Sequence, residues 1–264
     1  MTAPVFLGEA ETLATARPGE VVVLAGPEAR HAAVVRRTGV GERVDVVDGN
    51  GLRVSGTVVA TTKDSLDVRV ASVRHEQPPA VRFTLVQALA KGGRDEQAVE
   101  AATELGVDRI VPWQAERSIV RWRGDRGERA RQKWVDAVRS ATKQSRRARM
   151  PSVAAAVDLA GLVALVQAAD VAYVLHEEGM EHLASQTLPE RGEVLLVVGP
   201  EGGVTAAEVT ALTEAGAGVV RLGDTVLRSS SAGPAALAVL SAMSRWRGGG
   251  QASEPDRSVD LSAT

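Results

Sequence analysis

The sequence contains no cysteine. Disulfides, thiolate metal sites and a cysteine nucleophile are therefore excluded, and the absence fits a reducing cytosol. Only 3% of residues are aromatic although 44% are hydrophobic, so the core has to be built from valine, leucine and alanine. Histidine is scarce as well. His31, His75, His176 and His182 stand apart, with no pair on one helix face, and no metal centre is expected. No apolar run nears the roughly 18 residues of a membrane span. The first six residues have neither the basic start nor the apolar centre of a signal peptide. A soluble, cytoplasmic protein is expected, with no membrane partner.

What is present is a chain of 264 residues, enough for one large domain or two modest ones. The net charge of −2 gives no general attraction for nucleic acid, but the charge is unevenly spread. From Arg117 to Arg149 there are twelve Lys or Arg against three acids, Asp125, Glu128 and Asp136, a local excess of nine positive charges. A local basic field binds phosphate whatever the total charge.

Residues 1–76 read as short strands with one helix. Glu20–Ala25, Glu42–Val47, Leu52–Thr61 and Leu66–Val73 are the strand candidates, and Glu28–Thr38 reads as a helix stopped by Gly39. Asp48-Gly49-Asn50-Gly51 is a hairpin turn, because Gly and Asn tolerate positive φ. Short strands with tight turns suggest a small barrel. His31, Arg36 and Arg37 lie in or at the end of the helix, as a solvated face or as RNA contacts.

Gln77-Pro78-Pro79 is a stiff linker, and strand–helix alternation follows it, implying a mostly parallel sheet over residues 80–247. Strands are expected at Arg82–Leu89, Asp108–Val111 (ended by Pro112), Val171–Leu175, Glu193–Val198 and Val219–Leu222. Helices are expected at Asp95–Leu105, Gly124–Arg147, Leu159–Ala168, Thr205–Ala215 and Ser231–Trp246. Residues 248–264 are small and polar after a glycine triplet, and a disordered tail is expected.

Three strand-end loops carry the candidate chemistry: His176–Gly179, Gly199–Gly203 and Leu222–Ser231. In open α/β sheets ligands sit beyond the carboxyl ends of the strands, and glycine lets backbone groups come close to them. A Gly-Pro-Glu tripeptide also occurs at Gly26–Glu28, so the tripeptide alone carries little weight; the set of loops is the signal. No P-loop and no GxGxxG follows the first strand of the second domain, which disfavours an NTPase or a nicotinamide enzyme. Ser229-Ser230-Ser231 lacks the GxSxG elbow of a hydrolase. Arg228, permanently charged and just after the loop, can fork onto a carboxylate, phosphate or developing oxyanion, or form a surface ion pair.

In its order of motifs the chain resembles the RsmE family of 16S rRNA uridine-N3 methyltransferases, within the SPOUT superfamily. The resemblance spans about residues 20–247. It rests on His31-x-x-Val34-Val35-Arg36, Asp48-Gly49-x-Gly51, Gln87-Ala88-Leu89-x-Lys91-Gly92 and Ala102-Thr103-Glu104-Leu105-Gly106-Val107. It continues through Ile110-Val111-Pro112, Glu116-Arg117-Ser118, Gln144-Ser145, Val198-Gly199-Pro200-Glu201-Gly202-Gly203 and Leu222-Gly223…Val226-Leu227-Arg228.

The resemblance implies a PUA-like barrel over 1–76 and an α/β domain over 80–247 whose last third forms a trefoil knot. It also implies S-adenosyl-L-methionine as cofactor, a homodimer packed through the knot helices, and a small-subunit 16S rRNA substrate in the decoding region. On that basis the cofactor would be held by Leu175, His176, Glu177, Val198, Gly199, Pro200, Glu201, Gly202, Leu222, Gly223, Val226, Leu227, Ser229, Ser231 and Ala232. Arg228, Arg117 and Arg94 are the catalytic candidates, with Glu201 or water as base. Arg36, Arg37, Lys91, Arg121, Arg123, Arg146 and Arg147 are the candidate RNA contacts. The family often has Leu-Arg-Thr-Glu-Thr-Ala where this chain has Leu227-Arg228-Ser229-Ser230-Ser231-Ala232, so no role of that glutamate transfers to Ser230. A SPOUT ribose 2′-O-methyltransferase and a non-catalytic RNA-binding assembly factor are the alternatives.

Overall fold

The computed structural model describes residues 2–247; the tail expected at 248–264 lies outside them. The described residues form two sheets. The first contains β1 (Val5–Leu7), β2 (Val21–Ala25), β3 (Arg43–Val47), β4 (Leu52–Thr61) and β5 (Ser65–His75), in the order β1-β3-β4-β5-β2. Alternate residues point inward, as the period of a strand demands. Leu66, Val68 and Val70 of β5 meet Val54 and Val58 of β4 and Val44 and Val46 of β3 in one buried cluster. Strand β1 and the five-residue helix α1 (Ala10–Ala14) are too short to show a period, yet Phe6 and Leu13 from them are fully buried.

The expected helix over 28–38 is replaced by α2 (Gly26–Arg30) and a π turn at His31–Val35. The turn widens so that Arg36 N–H reaches back to His31 O at 3.0 Å, and the backbone reverses at Arg37 with φ +54°.

The second sheet has seven strands, all parallel: β6 (Val81–Ala88), β7 (Arg109–Trp113), β8 (Ser152–Val153), β9 (Val171–Leu175), β10 (Glu181–His182), β11 (Gly192–Val198) and β12 (Gly218–Arg221). Their order is β10-β12-β9-β11-β6-β7-β8. The chain runs from β6 outward through β7 to β8, then crosses back and fills the other side, so the direction of winding switches between β6 and β11. Central strands are buried on both faces and therefore read as continuous apolar runs. In β11, Val194, Leu196 and Val198 face helices α3 (Arg94–Glu104), α4 (Gly124–Gln144) and α7 (Ser229–Met243). Leu195 and Val197 face α5 (Leu159–Ala168) and α6 (Ala206–Glu214).

One proline expectation is corrected. Strand β7 continues through Pro112 to Trp113. Proline breaks a ladder by lacking a donor, but here only its carbonyl is used, accepting from Val157 N–H at 2.9 Å. Helix α7 runs from Ser229 to Met243, starting two residues before the expected Ser231, and Pro234 lies inside it. The adjacent Gly233 lets the helix press onto β6; a Cβ there would stand 3.1 Å from Leu85 Cδ1.

Helix α3 ends as expected at Gly106, whose φ is +91°. Gly106 N–H donates to Thr103 O and Val107 N–H to Ala102 O, at 3.1 and 3.0 Å, which satisfies two carbonyls of the last turn. The far end of α7 is held by Arg245. Its guanidinium donates to Gly106 O and Val81 O, pairs with Asp108 and lies 3.9 Å over the Phe83 ring.

The two sheets meet along the chain that leaves α4. The hairpin turn at Asp48–Gly51 is closed by Asp48 Oδ1, which accepts from Asn50 and Leu52 N–H at 2.7 and 2.9 Å. Its outer side docks on Ala148–Met150: Gly51 N–H donates to Ala148 O and Met150 N–H to Gly49 O. Gly51 has φ +110°, and a Cβ on it would lie 2.5 Å from Glu76 O. Glu28 of the Gly-Pro-Glu at 26–28 pairs with Lys143 of α4 at 2.8 Å. Among the described residues no helix is long and apolar enough to cross a membrane.

Candidate active site

The carboxyl ends of β9, β11 and β12 open into a cavity of about 650 Å³, within the usual range for a small-molecule site. It lies beside the winding switch between β6 and β11, where a doubly wound sheet leaves a crevice. Leu175–Glu177 continue from β9, Val198–Val204 from β11 and Arg221–Arg228 from β12; Ser229 and Ala232 come from the start of α7. Every residue expected to hold a cofactor lines this cavity except Ser231. Ser231 is exposed on α7 and outside the lining; Ser230, half-buried, is outside it too. The structure adds Gly203, Val204, Arg221, Asp224 and Thr225 to the wall.

The loop after β11 is shaped by its sequence and pinned by one buried acid. Gly203 takes φ +76° and returns its N–H to Pro200 O at 2.9 Å, while a Cβ on Gly199 would come within 2.6 Å of Val204. Thr205 then caps α6. Its hydroxyl accepts from Glu208 N–H, and Glu208 Oε2 accepts from Thr205 N–H at 2.9 Å, a complete capping box. The other oxygen of Glu208 accepts from Glu116 N–H at 2.7 Å, and Thr205 Oγ donates to Glu116 Oε2 at 3.1 Å. Glu208, only 2% exposed, thereby ties the β11 loop to the loop after β7. The Thr205-x-x-Glu208 spacing was a visible capping signal; its second bond, to Glu116, was not.

Three arginines reach the cavity from three elements. Arg94, first residue of α3, follows two left-handed glycines, Gly92 and Gly93, and pairs with Glu201 at 2.9 Å. Arg117 donates to Gly202 O at 2.9 Å. Arg228 stands at the N-cap of α7 and is exposed; its guanidinium makes no hydrogen bond or ion pair among the described residues. Preorganised cations around a concave site stabilise negative charge that develops there. Leu175, Leu222 and Leu227 supply apolar wall. Ser229 Oγ is buried without a hydrogen-bond partner, as is Oε1 of the neighbouring Gln87, whose Nε2 lies 3.5 Å from Ser229 O. Buried polar atoms are normally satisfied, and of these two Ser229 belongs to the cavity lining, where a polar guest could meet its hydroxyl.

Among the expected RNA contacts, Arg36, Arg37, Lys91, Arg121, Arg123 and Arg146 are exposed. Arg147 is not available. Its guanidinium turns inward, donates to Thr103 O at 2.7 Å and stands 3.9 Å from Asp108. Burial pulls its pKa down to about 10, with the nearby Arg245 adding to the effect against Asp108. Arg131, Lys143 and Arg149 of the same basic stretch are likewise engaged, with Glu128, Glu28 and Glu76 O. Eight of the twelve cations, Arg147 not among them, remain on the surface.

Comparison with known proteins places these features in a family. An RNA methyltransferase domain model matches residues 76–241, and an RNA methyltransferase PUA domain model matches 24–71. Ribosomal RNA small subunit methyltransferase E of Mycobacterium bovis is 43% identical over 235 residues, 86% of this chain and 89% of that protein. The Bacillus subtilis protein of the same name is 28% identical over 83% of this chain and 88% of its own length. A solved structure of ribosomal RNA small subunit methyltransferase E from Neisseria gonorrhoeae, bound to S-adenosyl methionine, superposes with a TM-score of 0.80 at 25% identity. The match covers 92% of this chain and 98% of that one.

Proposed function

The chain belongs to the ribosomal RNA small subunit methyltransferase E family, and from that premise we propose that it methylates N3 of one uridine in small-subunit rRNA. The observation that carries this is the convergence of Arg94, Arg117 and Arg228 on the cavity formed by the glycine loops. S-adenosyl-L-methionine, when bound, supplies an electrophilic methyl group. The residues present fit it: the loops at Gly199–Gly203 and Leu222–Leu227 offer backbone groups, Leu175, Leu222 and Leu227 offer apolar wall for a flat ring, and Ser229 Oγ is a buried hydroxyl in want of a partner.

The work of the protein is to make N3 nucleophilic. The N3 lone pair is tied into the imide until N3–H is lost, and the resulting charge spreads onto O2 and O4. Arg228, with its guanidinium uncommitted, holds that charge, and Arg117 supports it from the opposite loop. Glu201, or a water beside it, takes the proton; Arg94 holds the Glu201 carboxylate in place. S-adenosyl-L-methionine bound in the cavity would supply the methyl group that N3 accepts. Holding the partners in line supplies much of the acceleration. Ser230 stands outside the cavity lining, so the chemistry described here does not depend on an acid at that position.

Around this site the exposed cations of the β7–α4 region and the first domain grip RNA by its phosphates. We place the activity in the cytoplasm, on the decoding region of the small subunit, in a homodimer packed through a knotted C-terminal third. The test is methylation of small subunits from a strain lacking the gene. An N3-methyl blocks base pairing, so primer extension should stop at one uridine. Arg228→Ala should lower the transfer rate by about 10²-fold while the affinity for S-adenosyl-L-methionine changes far less. No stop with the folded wild-type protein, or a stop undiminished by Arg228→Ala, would overturn this assignment.

A further inference from the structure

The loop that leads from β7 to α4 carries Arg117-Ser118-Ile119-Val120-Arg121-Trp122-Arg123. It is held at many points. Glu116 N–H donates to Glu208, Arg117 to Gly202 O, Ser118 N–H to Ala115 O, Arg121 to Glu116 O and Trp122 N–H to Gln114 Oε1. The Trp122 ring meets Trp134 edge-on at 5.2 Å. Ser118 is buried and Val120 packs on the core. Between these two inward residues Ile119 points outward, 68% exposed.

An exposed isoleucine by itself means little. This one is stiff at χ1 by its branching, sits on a loop fixed on both sides, and has arginines two before, two after and four after it. Arg117, Arg121 and Arg123 are all exposed, and Arg117 lines the cavity. Two residues of chain reach at most about 7 Å, and bases along one strand are spaced by roughly 3.4 Å. Ile119 therefore stands about two base steps or less from a wall of the cavity into which a target base must turn.

N3 lies on the pairing edge of uracil, so the base has to leave its stack to be methylated. The gap it leaves costs stacking energy unless something fills it, and proteins that open base steps do so with apolar wedges flanked by cations. We propose that Ile119 is such a wedge, a positioning residue that enters the RNA stack beside the target uridine and keeps that base turned into the cavity. The proposal rests on the methyltransferase assignment above.

The test is single-turnover methyl transfer to small subunits lacking the modification, at saturating S-adenosyl-L-methionine, with Ile119→Ala, Ile119→Ser and Ile119→Leu. Truncation to Ala or Ser should slow the transfer step by about tenfold or more, because part of the cost of unstacking the target base then goes uncompensated. Leucine should restore the rate to within about threefold, since it refills most of the same volume. Cofactor affinity and thermal midpoint should not change, because the side chain touches neither the cavity nor the core. Equal rates for wild type and Ile119→Ala would overturn the wedge and leave the methyltransferase assignment intact; an inactive wild type would instead remove the assignment. A shift of Ile119→Ala to a smaller species in sedimentation would assign the residue to contact between copies of the chain and also overturn the wedge.

Discussion

Glu208→Ala tests whether one buried carboxylate holds the cofactor loop. Its two oxygens accept from Thr205 and Glu116 N–H at 2.9 and 2.7 Å, at 2% exposure. Each hydrogen bond to a charged group contributes about 1.5–3 kcal/mol, and removing the acceptor also leaves a donor unsatisfied. Against this, the change relieves the desolvation of Glu208 and its repulsion of Glu116, which together favour the lower half of the sum. The expected loss is therefore about 3–4 kcal/mol, or about 6–16 °C in thermal midpoint for a chain of this size. Glu208→Gln keeps one acceptor and should lose about half as much. The same bonds set the position of Gly199–Thr205, so affinity for S-adenosyl-L-methionine should fall for the alanine variant even at temperatures where it is fully folded. Calorimetric unfolding and cofactor titration measure the two effects. A stability loss under about 1 kcal/mol would contradict this assignment, since two charge-assisted bonds are worth more than that when one of the donors left behind, Thr205 N–H, is buried.

Two further predictions concern residues outside the cavity lining. Gly106→Ala forces a side chain onto φ +91° and brings a Cβ to 3.3 Å from Arg245 Nη1; urea unfolding should show a loss of about 1–2 kcal/mol with methyl transfer unchanged. For Asp95, burial raises the carboxyl pKa, outweighing the N–H donors of Ala90 and Glu96. A raised folded-state value favours the protonated form on folding, so its stabilising contribution is full below the unfolded pKa and is lost as pH rises through the folded one. Asp95→Asn should then be more stable than wild type at pH 7, and the advantage should shrink as pH falls toward about 4. Denaturation midpoints across that range check it; an advantage that grows on acidification would contradict it.

Much of the scaffold was legible because it is local. The alternation of Leu66, Val68 and Val70, the unbroken run of β11, the turn at Asp48–Gly51 and the cap at Gly106 each follow from side-chain period or allowed φ. The loops of the site were legible as well, since glycine after a buried strand marks where backbone must come close to something. Other parts were not. Strands β8 and β10 are two residues each and exist only because longer neighbours offer them partners. Gly26-Pro27-Glu28 and Gly199-Pro200-Glu201 look alike on paper, yet Glu28 holds Lys143 of α4 and Glu201 faces the cavity.

The basic stretch shows the division most clearly. Charge and period are counted along the chain, so the large positive excess of residues 117–149 and the amphipathic helix it contains could be read without a fold. Which of those cations reach solvent depends on folding: Arg147 turns toward Thr103 and Asp108 while Arg121 and Arg123 face water. A guanidinium goes where buried carbonyls and carboxylates would otherwise lack a donor. Those acceptors come from α3 and from the turn into β7, more than 35 residues earlier in the chain.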